Sequence, residues 1–292
     1  MKDKIIYVEF FPNCRLANQM CQFAAGYALH KKYPEFDLKV YNGYMADSNK
    51  MFPEDIYPIF NKMIDPYLCN SIPDYCKIIP EGLGEPIPYD EIDTICKTNN
   101  FIRLQGFFQG EYWFWGVPNN IIKEKFIGSN YCYIYNIANK YGDLNNTVGI
   151  HIRRTDYLNS TELLRVPKFS WYIKAYIKYF PGKDILVASD DIEWCKERFE
   201  KYSNYINISY CDESPESTIY ILSKCKGGFI GSNSTFSWWG AWLGDDGNHD
   251  IVFPDEYFNH STHYTKEEGY KKPDIVVCDR WIHHPMLNEF EK

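Results

Sequence analysis

Hydrophobic and polar positions follow two regimes along these 292 residues. The chain opens with an apolar run, Ile5 to Phe10, that reads as a strand. A loop follows over Phe11 to Arg15, with Pro12-Asn13 as a candidate turn. From about Ala17 to Lys32, Met20, Phe23, Ala24, Tyr27 and Ala28 recur at helical spacing, which predicts a helix with one apolar stripe. Residues 41–100 have no sustained period. Pro53, Pro58, Pro66, Pro73, Pro80, Pro86 and Pro88 argue against long helices there, and the many aromatics argue against wholesale disorder. A strand-like run covers Ile102 to Phe108, and a helix-like stretch lies near Val117 to Phe126.

From about Tyr141 the pattern sharpens. Strands are predicted at Thr147–Ile152, Asp184–Ser189, Ile206–Tyr210, Gly228–Gly231 and Ile251–Phe253. Helices fall between them, around Ser170–Tyr179, from Ile192 through Cys195 to Phe199, and at Ser217–Lys224 and Thr235–Leu243. This alternation implies a parallel sheet covered on both faces, with ligands expected at the carboxyl ends of its strands.

Hydrophobic content of 45% and charged content of 24% are those of an ordinary globular protein. A net charge of −8 argues against sequence-independent nucleic-acid binding, which needs a basic footprint. No apolar run approaches the roughly 20 residues that span a bilayer, and the start reads as a strand rather than a signal peptide. A cytoplasmic protein is expected, with peripheral membrane association at most. The 10 cysteines are scattered without zinc-ligand spacing and read as reduced thiols filling apolar space.

Three strand ends carry the chemistry. His151, Arg153 and Arg154 close one strand, Asp190 and Asp191 the next, and Ser232-Asn233-Ser234-Thr235 joins a third strand to a helix. Guanidinium groups match phosphate oxygens in pairs and stay charged. A helix start rich in hydroxyls presents N–H groups and a positive dipole end to an anion. Together with an acidic strand end these form a nucleotide-diphosphate site, in which an Asp can accept from guanine N1–H and its exocyclic amine. Blander readings stand beside this one: Asp156 neutralising an arginine, Asp190 or Asp191 capping the next helix, His151 as a core histidine. Paired acids can also hold Mg²⁺ or Mn²⁺ through phosphates, although two arginines already offset a diphosphate.

With these residues in view, the chain resembles the α-1,2-fucosyltransferases of glycosyltransferase family 11. Residues Arg15 to Ala24 resemble the family's N-terminal segment, with Cys14 and Ala17 where glycines are usual. Gln105-Gly106-Phe107-Phe108-Gln109 with Tyr112-Trp113-Phe114 resembles its second stretch. His151-Ile152-Arg153-Arg154-Thr155-Asp156-Tyr157 matches its arginine motif, and Ser189 to Cys195 and Asn233 to Leu243 match its last two signatures.

The resemblance implies an α/β, GT-B-like fold, two Rossmann-like domains facing each other across a cleft. Residues 1–140 would form the acceptor-side domain and 141–292 the GDP-sugar-binding domain, with a last helix able to pack back on the first. It implies transfer of L-fucose from GDP-β-L-fucose, with inversion and no obligatory metal or other cofactor, to the 2-hydroxyl of a galactose-terminated oligosaccharide. Arg153 would bind the diphosphate and Arg154 would support it. His151 and one of Asp190 and Asp191 would hold guanine, and Asn233, Ser234 and Thr235 the phosphates. Asn18 and Gln19 would contact donor or acceptor. Asp156 and Glu162 are the candidate bases, Asp156 also being an ion-pair partner for the arginines. A fucosyltransferase of other regiochemistry, and a GDP-sugar or glycan-binding module without turnover, are the competing readings.

Overall fold

The structure is a computed structural model that describes residues 4–11, 14–42, 57–81, 87–128, 136–162, 164–256, 278–287 and 289–291. The Pro12-Asn13 turn lies outside the described residues. The chain divides near residue 130 into two compact units.

The first unit is a parallel four-stranded sheet in the order β2-β1-β4-β3. Its elements are β1 (Ile5–Phe10), α1 (Leu16–Lys32), β2 (Asp37–Asn42), α2 (Pro58–Ile64), β3 (Lys77–Pro80), α3 (Tyr89–Thr98), β4 (Phe101–Gln105) and α4 (Asn119–Ile127). Helix α1 departs from the one-stripe expectation, because its burial runs all round from Leu16 to Leu29 with only Asn18 half-buried. It lies on β1 at Gly26, where a Cβ would meet Val8 Cγ2 at 2.1 Å. On another side the Trp115 indole N–H donates to Ala25 O at 2.9 Å. A helix covered on several sides has no polar face to give it a period.

Residues 41–100 are more regular than their prolines suggest. Pro58 occupies the first turn of α2 and Pro88 the cap position of α3, where a missing N–H costs nothing. Pro80 closes β3, an edge strand, where proline is tolerated. The prolines here begin and end elements rather than break them. Strand β4 stops at Gln105, short of the expected Phe108, because the chain turns at Gly106 and Phe108 takes a positive φ of 54°.

The second unit is a parallel six-stranded sheet in the order β10-β9-β8-β5-β6-β7. Along the chain come β5 (Thr147–Ile152), α5 (Thr155–Leu158), α6 (Phe169–Tyr179), β6 (Asp184–Ser189), α7 (Ile192–Phe199), β7 (Ile208–Cys211), α8 (Pro215–Ser223), β8 (Gly228–Ile230), α9 (Thr235–Gly244), β9 (Ile251–Pro254) and β10 (Ile282–His284). Apart from α5 and β10, which were not expected, these elements follow the expected boundaries to within about two residues. Among the described residues after Pro254 the regular element is the strand β10.

All six residues of β5 are buried, as a central parallel strand requires. Val148, Ile150 and Ile152 join Trp171, Tyr176, Val187 and Phe199 in one core cluster, which brings in α6 and α7. The alternate positions meet the other layer. Gly149 faces Cys225 and Phe229, and His151 stacks on Phe236 of α9 with ring centroids 4.7 Å apart. Helix α9 is itself buried almost throughout. Its Trp238 and Trp242 lie parallel at 5.3 Å, with Trp239 edge-on to both. Each unit is thus a helix-covered parallel sheet, the pair of Rossmann-like units that a GT-B-like chain contains.

Gly231 joins β8 to the candidate site. A Cβ there would lie 2.5–2.9 Å from three ring atoms of the buried Phe253. Gly231→Ala should therefore cost about 1–3 kcal/mol of stability by overpacking. Urea unfolding checks this, and an unchanged midpoint would mean the ring yields freely.

Candidate functional site

Parallel register decides which strand ends meet. Ile152 of β5 pairs with Ser189 of β6, and Ile150 pairs with Ile230 of β8. One residue further on, Arg153 falls beside Asp190. On the other side the Ser232 N–H donates to His151 O at 3.2 Å. Three sequence-distant candidates therefore share one carboxyl edge of the sheet, where α/β sheets bind ligands.

Asp190 organises the arginine corner. Its Oδ1 accepts from the Arg154 backbone N–H at 2.8 Å, and its Oδ2 from the Thr155 N–H at 3.1 Å and the Thr155 hydroxyl. Arg153 Nη1 lies 3.3 Å from the same Oδ2. Both oxygens of Asp190 thus face donors of the β5–α5 turn. Asp191 occupies the cap position of α7 without a side-chain cap bond, and accepts from Arg154 Nε at 3.3 Å instead.

The two arginines differ. Arg154 lies with its guanidinium 3.6 Å over the Trp194 ring, paired with Asp191 and with Glu291 at 3.5 Å. Arg153 Nη2 donates to Asp156 Oδ2 at 2.7 Å, and of its two carboxylate partners Asp156 is the more exposed, 45% against 16% for Asp190. An anion arriving from solvent displaces the exposed partner more easily than the buried one, because less burial and fewer hydrogen bonds hold it.

His151 is 4% exposed, and its Nδ1 lies 2.6 Å from Ser237 Oγ. Burial holds the imidazole well below its ordinary pKa; Asp190 opposes that shift and Arg153 adds to it. The ring is neutral at physiological pH and forms the floor of the corner. Ser237 Oγ also accepts from the Ser232 N–H at 3.1 Å, tying β5 to the turn before α9. In that turn Ser234 Oγ accepts from the Phe236 N–H at 3.3 Å as a helix cap, and Asn233 Nδ2 donates to Arg165 O at 2.6 Å. Thr235 is the first residue of α9 and is buried, so the positive end of that helix opens at the same edge.

Asn18 and Gln19 belong to the first unit. Gln19 is buried and donates to Cys14 O at 2.6 Å, so it shapes its own loop. Asn18 Oδ1 accepts from Gln109 Nε2 at 3.2 Å. Gln109 sits on the turn after β4, whose N–H groups at Phe107 and Gln109 are held by Glu81. Neither Cys14 nor Ala17 has a positive φ, so neither position needs glycine's freedom. Burial pushes the Cys14 thiol up to about 12. Among the described residues no helix is long and apolar enough to cross a membrane.

Sequence reasoning missed Ser237, Trp194, Arg165, Glu81 and Glu291 as parts of these arrangements. Ser237 and Trp194 lie inside the quoted signatures and were within reach; the other three carry no local signal.

A model of the family described as "Glycosyl transferase family 11" matches residues 90–277. The O-antigen biosynthesis glycosyltransferase WbnK of Escherichia coli is 36% identical over a stretch that covers 47% of this chain and 44% of that protein, less than half its length. An alpha-1,2-colitosyltransferase of Escherichia coli is 29% identical over 78% of this chain and 84% of its own. A crystal structure of POFUT1 in complex with GDP-fucose superposes with a TM-score of 0.48 at 14% identity, covering 87% of this chain and 99% of that one. A family 9 glycosyl transferase from Veillonella parvula gives 0.46 at 9% identity, covering 95% and 94%. Superpositions this loose transfer no residue.

Two measurements test the corner. Asp190→Asn keeps the shape but turns an acceptor toward N–H groups as a donor, and should cost about 1.5–3 kcal/mol in urea unfolding. For His151, the unfolded chain binds a proton below about pH 6.5 and the folded chain does not. Its contribution is therefore complete above that pH and is lost as the pH falls, at up to about 1.4 kcal/mol per unit. His151→Gln should flatten the pH dependence of stability between pH 6.5 and 5; an equal slope in both proteins would mean a protonated ring in the fold.

Proposed function

The chain belongs to glycosyl transferase family 11, and from that premise we propose that it moves L-fucose from GDP-β-L-fucose to the 2-hydroxyl of a terminal β-galactose, forming an α-1,2 linkage. The observation that carries this reading is the meeting of Arg153, the Asp190-held turn and the start of α9 at one sheet edge. Cationic and dipolar donors fixed at one point suit a diphosphate that gains charge as it leaves.

In this reading the diphosphate takes the place of Asp156 on Arg153 and lies against the Asn233–Thr235 turn. Asp190 keeps Arg153 in place, which leaves Asp191, the more exposed of the two acids at 34% against 16%, to accept from guanine. Arg154, pressed between Trp194 and two carboxylates, positions the corner without needing to touch the donor. His151, neutral and hydrogen-bonded to Ser237, supports Phe236 at the base of the helix start.

The acceptor hydroxyl attacks fucose C1 from the face opposite the leaving GDP, so the anomeric centre inverts. As the C1–O bond breaks, positive charge grows on the sugar ring and negative charge on the β-phosphate. Arg153 and the α9 N-terminus meet that negative charge. Asp156, released from Arg153, is the carboxylate this reading assigns as base for the acceptor proton. Arg153 and the α9 N-terminus are the groups this reading sets against the diphosphate, and it invokes no metal.

A second donor is favoured by one observation, the resemblance to a colitosyltransferase. Colitose is fucose without its 3-hydroxyl. A site that hydrogen-bonds this hydroxyl would disfavour the analogue lacking it by several powers of ten, so GDP-fucose and GDP-colitose belong in the same assay.

Arg153→Ala should lower kcat/KM by about 10²–10³-fold, the scale for removing one donor to a developing anion, with the fold intact by circular dichroism. Transfer from either GDP-sugar to lactose, N-acetyllactosamine and type-1 disaccharides, with linkage read by NMR, tests the whole proposal. Near wild-type turnover in Arg153→Ala would remove the assigned role, and a product linked elsewhere than O2 would remove the regiochemistry.

A further inference from the structure

Residues 289–291 touch Arg154 of the arginine corner and Arg165, whose carbonyl holds Asn233 of the turn before α9. Phe290 forms an antiparallel bridge with Pro167. The Lys168 N–H donates to Glu289 O at 2.9 Å, and the Glu291 N–H donates to Val166 O at 2.8 Å. The segment is therefore laminated along residues 166–168. It is anchored away from the site as well, because the Glu289 carboxylate accepts from Ser170 and Lys174 of α6.

Two side chains reach from this ladder toward the sheet edge. The Glu291 carboxylate lies 3.5 Å from Arg154 Nη1, the third contact holding that guanidinium after Trp194 and Asp191. The Phe290 ring lies 3.9 Å from the Arg165 guanidinium, whose Nε is 3.2 Å from Glu256. Arg165 O accepts from Asn233 Nδ2 at 2.6 Å. One short segment thus grips the residue next to Arg153 and also the loop that fastens the turn before α9.

We propose that Phe290 and Glu291 are positioning residues for donor binding, and that they hold the arginine corner and the Asn233–Thr235 turn at the spacing a diphosphate needs. The proposal rests on the donor reading above. Long side chains and loops that are ordered beforehand spare the ligand the entropy of ordering them. An isolated ion pair as exposed as Glu291, at 31%, would by itself be worth little. What distinguishes this one is its coupling through Arg154 to the turn that Asp190 and Arg153 share.

The test measures GDP affinity by calorimetry and donor kinetics in wild type, Phe290→Ala, Glu291→Gln and Glu291→Asp, with melting curves for each. Phe290→Ala and Glu291→Gln should weaken GDP binding and raise the donor KM by roughly tenfold. Their kcat at saturating donor should stay within about twofold of wild type, since the group stabilising the departing charge is intact. Glu291→Asp, which keeps the charge, should recover part of the loss. If Phe290→Ala melts below the assay temperature, the Glu291 pair carries the comparison alone. Wild type binding GDP while both variants bind it equally well would overturn the positioning role and leave the donor reading standing. Wild type indifferent to GDP would overturn both.

Discussion

Parallel hydrogen bonding between β8, β5 and β6 is the constraint on which the rest of the second unit depends. Because Ile152 stands opposite Ser189 and Ile150 opposite Ile230, the residues that follow each strand emerge side by side. A slip of one residue would send every buried side chain of β5 to the wrong layer. The core therefore enforces the register, and the register builds the corner. Val148, Ile150 and Ile152 lock one face while Gly149 and His151 lock the other. Packing energy spread through the sheet is in this way converted into the placement of a few charged groups.

The corner carries more carboxylates than guanidiniums at rest. Arg153 and Arg154 are met by Asp156, Asp190, Asp191 and Glu291, none of which is deeply buried. Such a cluster does not draw anions by excess charge; on the donor reading proposed above it would select by exchange. A ligand must offer Arg153 a better partner than an exposed carboxylate, and a phosphate with several oxygens does so by bidentate bonding. An acidic chain can thus still present a guanidinium to an anion, because on this reading only one exposed contact of Arg153 has to be exchanged.

Much of the second unit was legible in the sequence, and the reason is physical. Its inner strands are short and buried, its helices lie on a sheet, and the residues at the strand ends are chemically conspicuous. The first unit was less legible. Helix α1 is covered on several sides, so its period is blurred. Pro58, Pro80 and Pro88 sit at the starts and ends of elements, where their effect is the opposite of their reputation. In the site, residue types were readable but partners were not. One of Asp190 and Asp191 was expected to face a base, and the residue types did not tell which; the oxygens of Asp190 serve the backbone of Arg154 and Thr155. Gln19 likewise turns inward to Cys14. Arg165, Glu81 and Glu291 were invisible because their roles arise only when distant segments meet.

Helix α9 carries one more consequence. Its first turn opens at the sheet edge, and its body holds Trp238, Trp239 and Trp242 with ring centroids 5.1–5.5 Å apart. Indoles held this closely in a chiral arrangement couple their electronic transitions. The near-ultraviolet dichroism of the protein therefore contains an intrinsic optical signature of the very helix whose tip opens at the candidate site, and no dye or label has to be attached to read it.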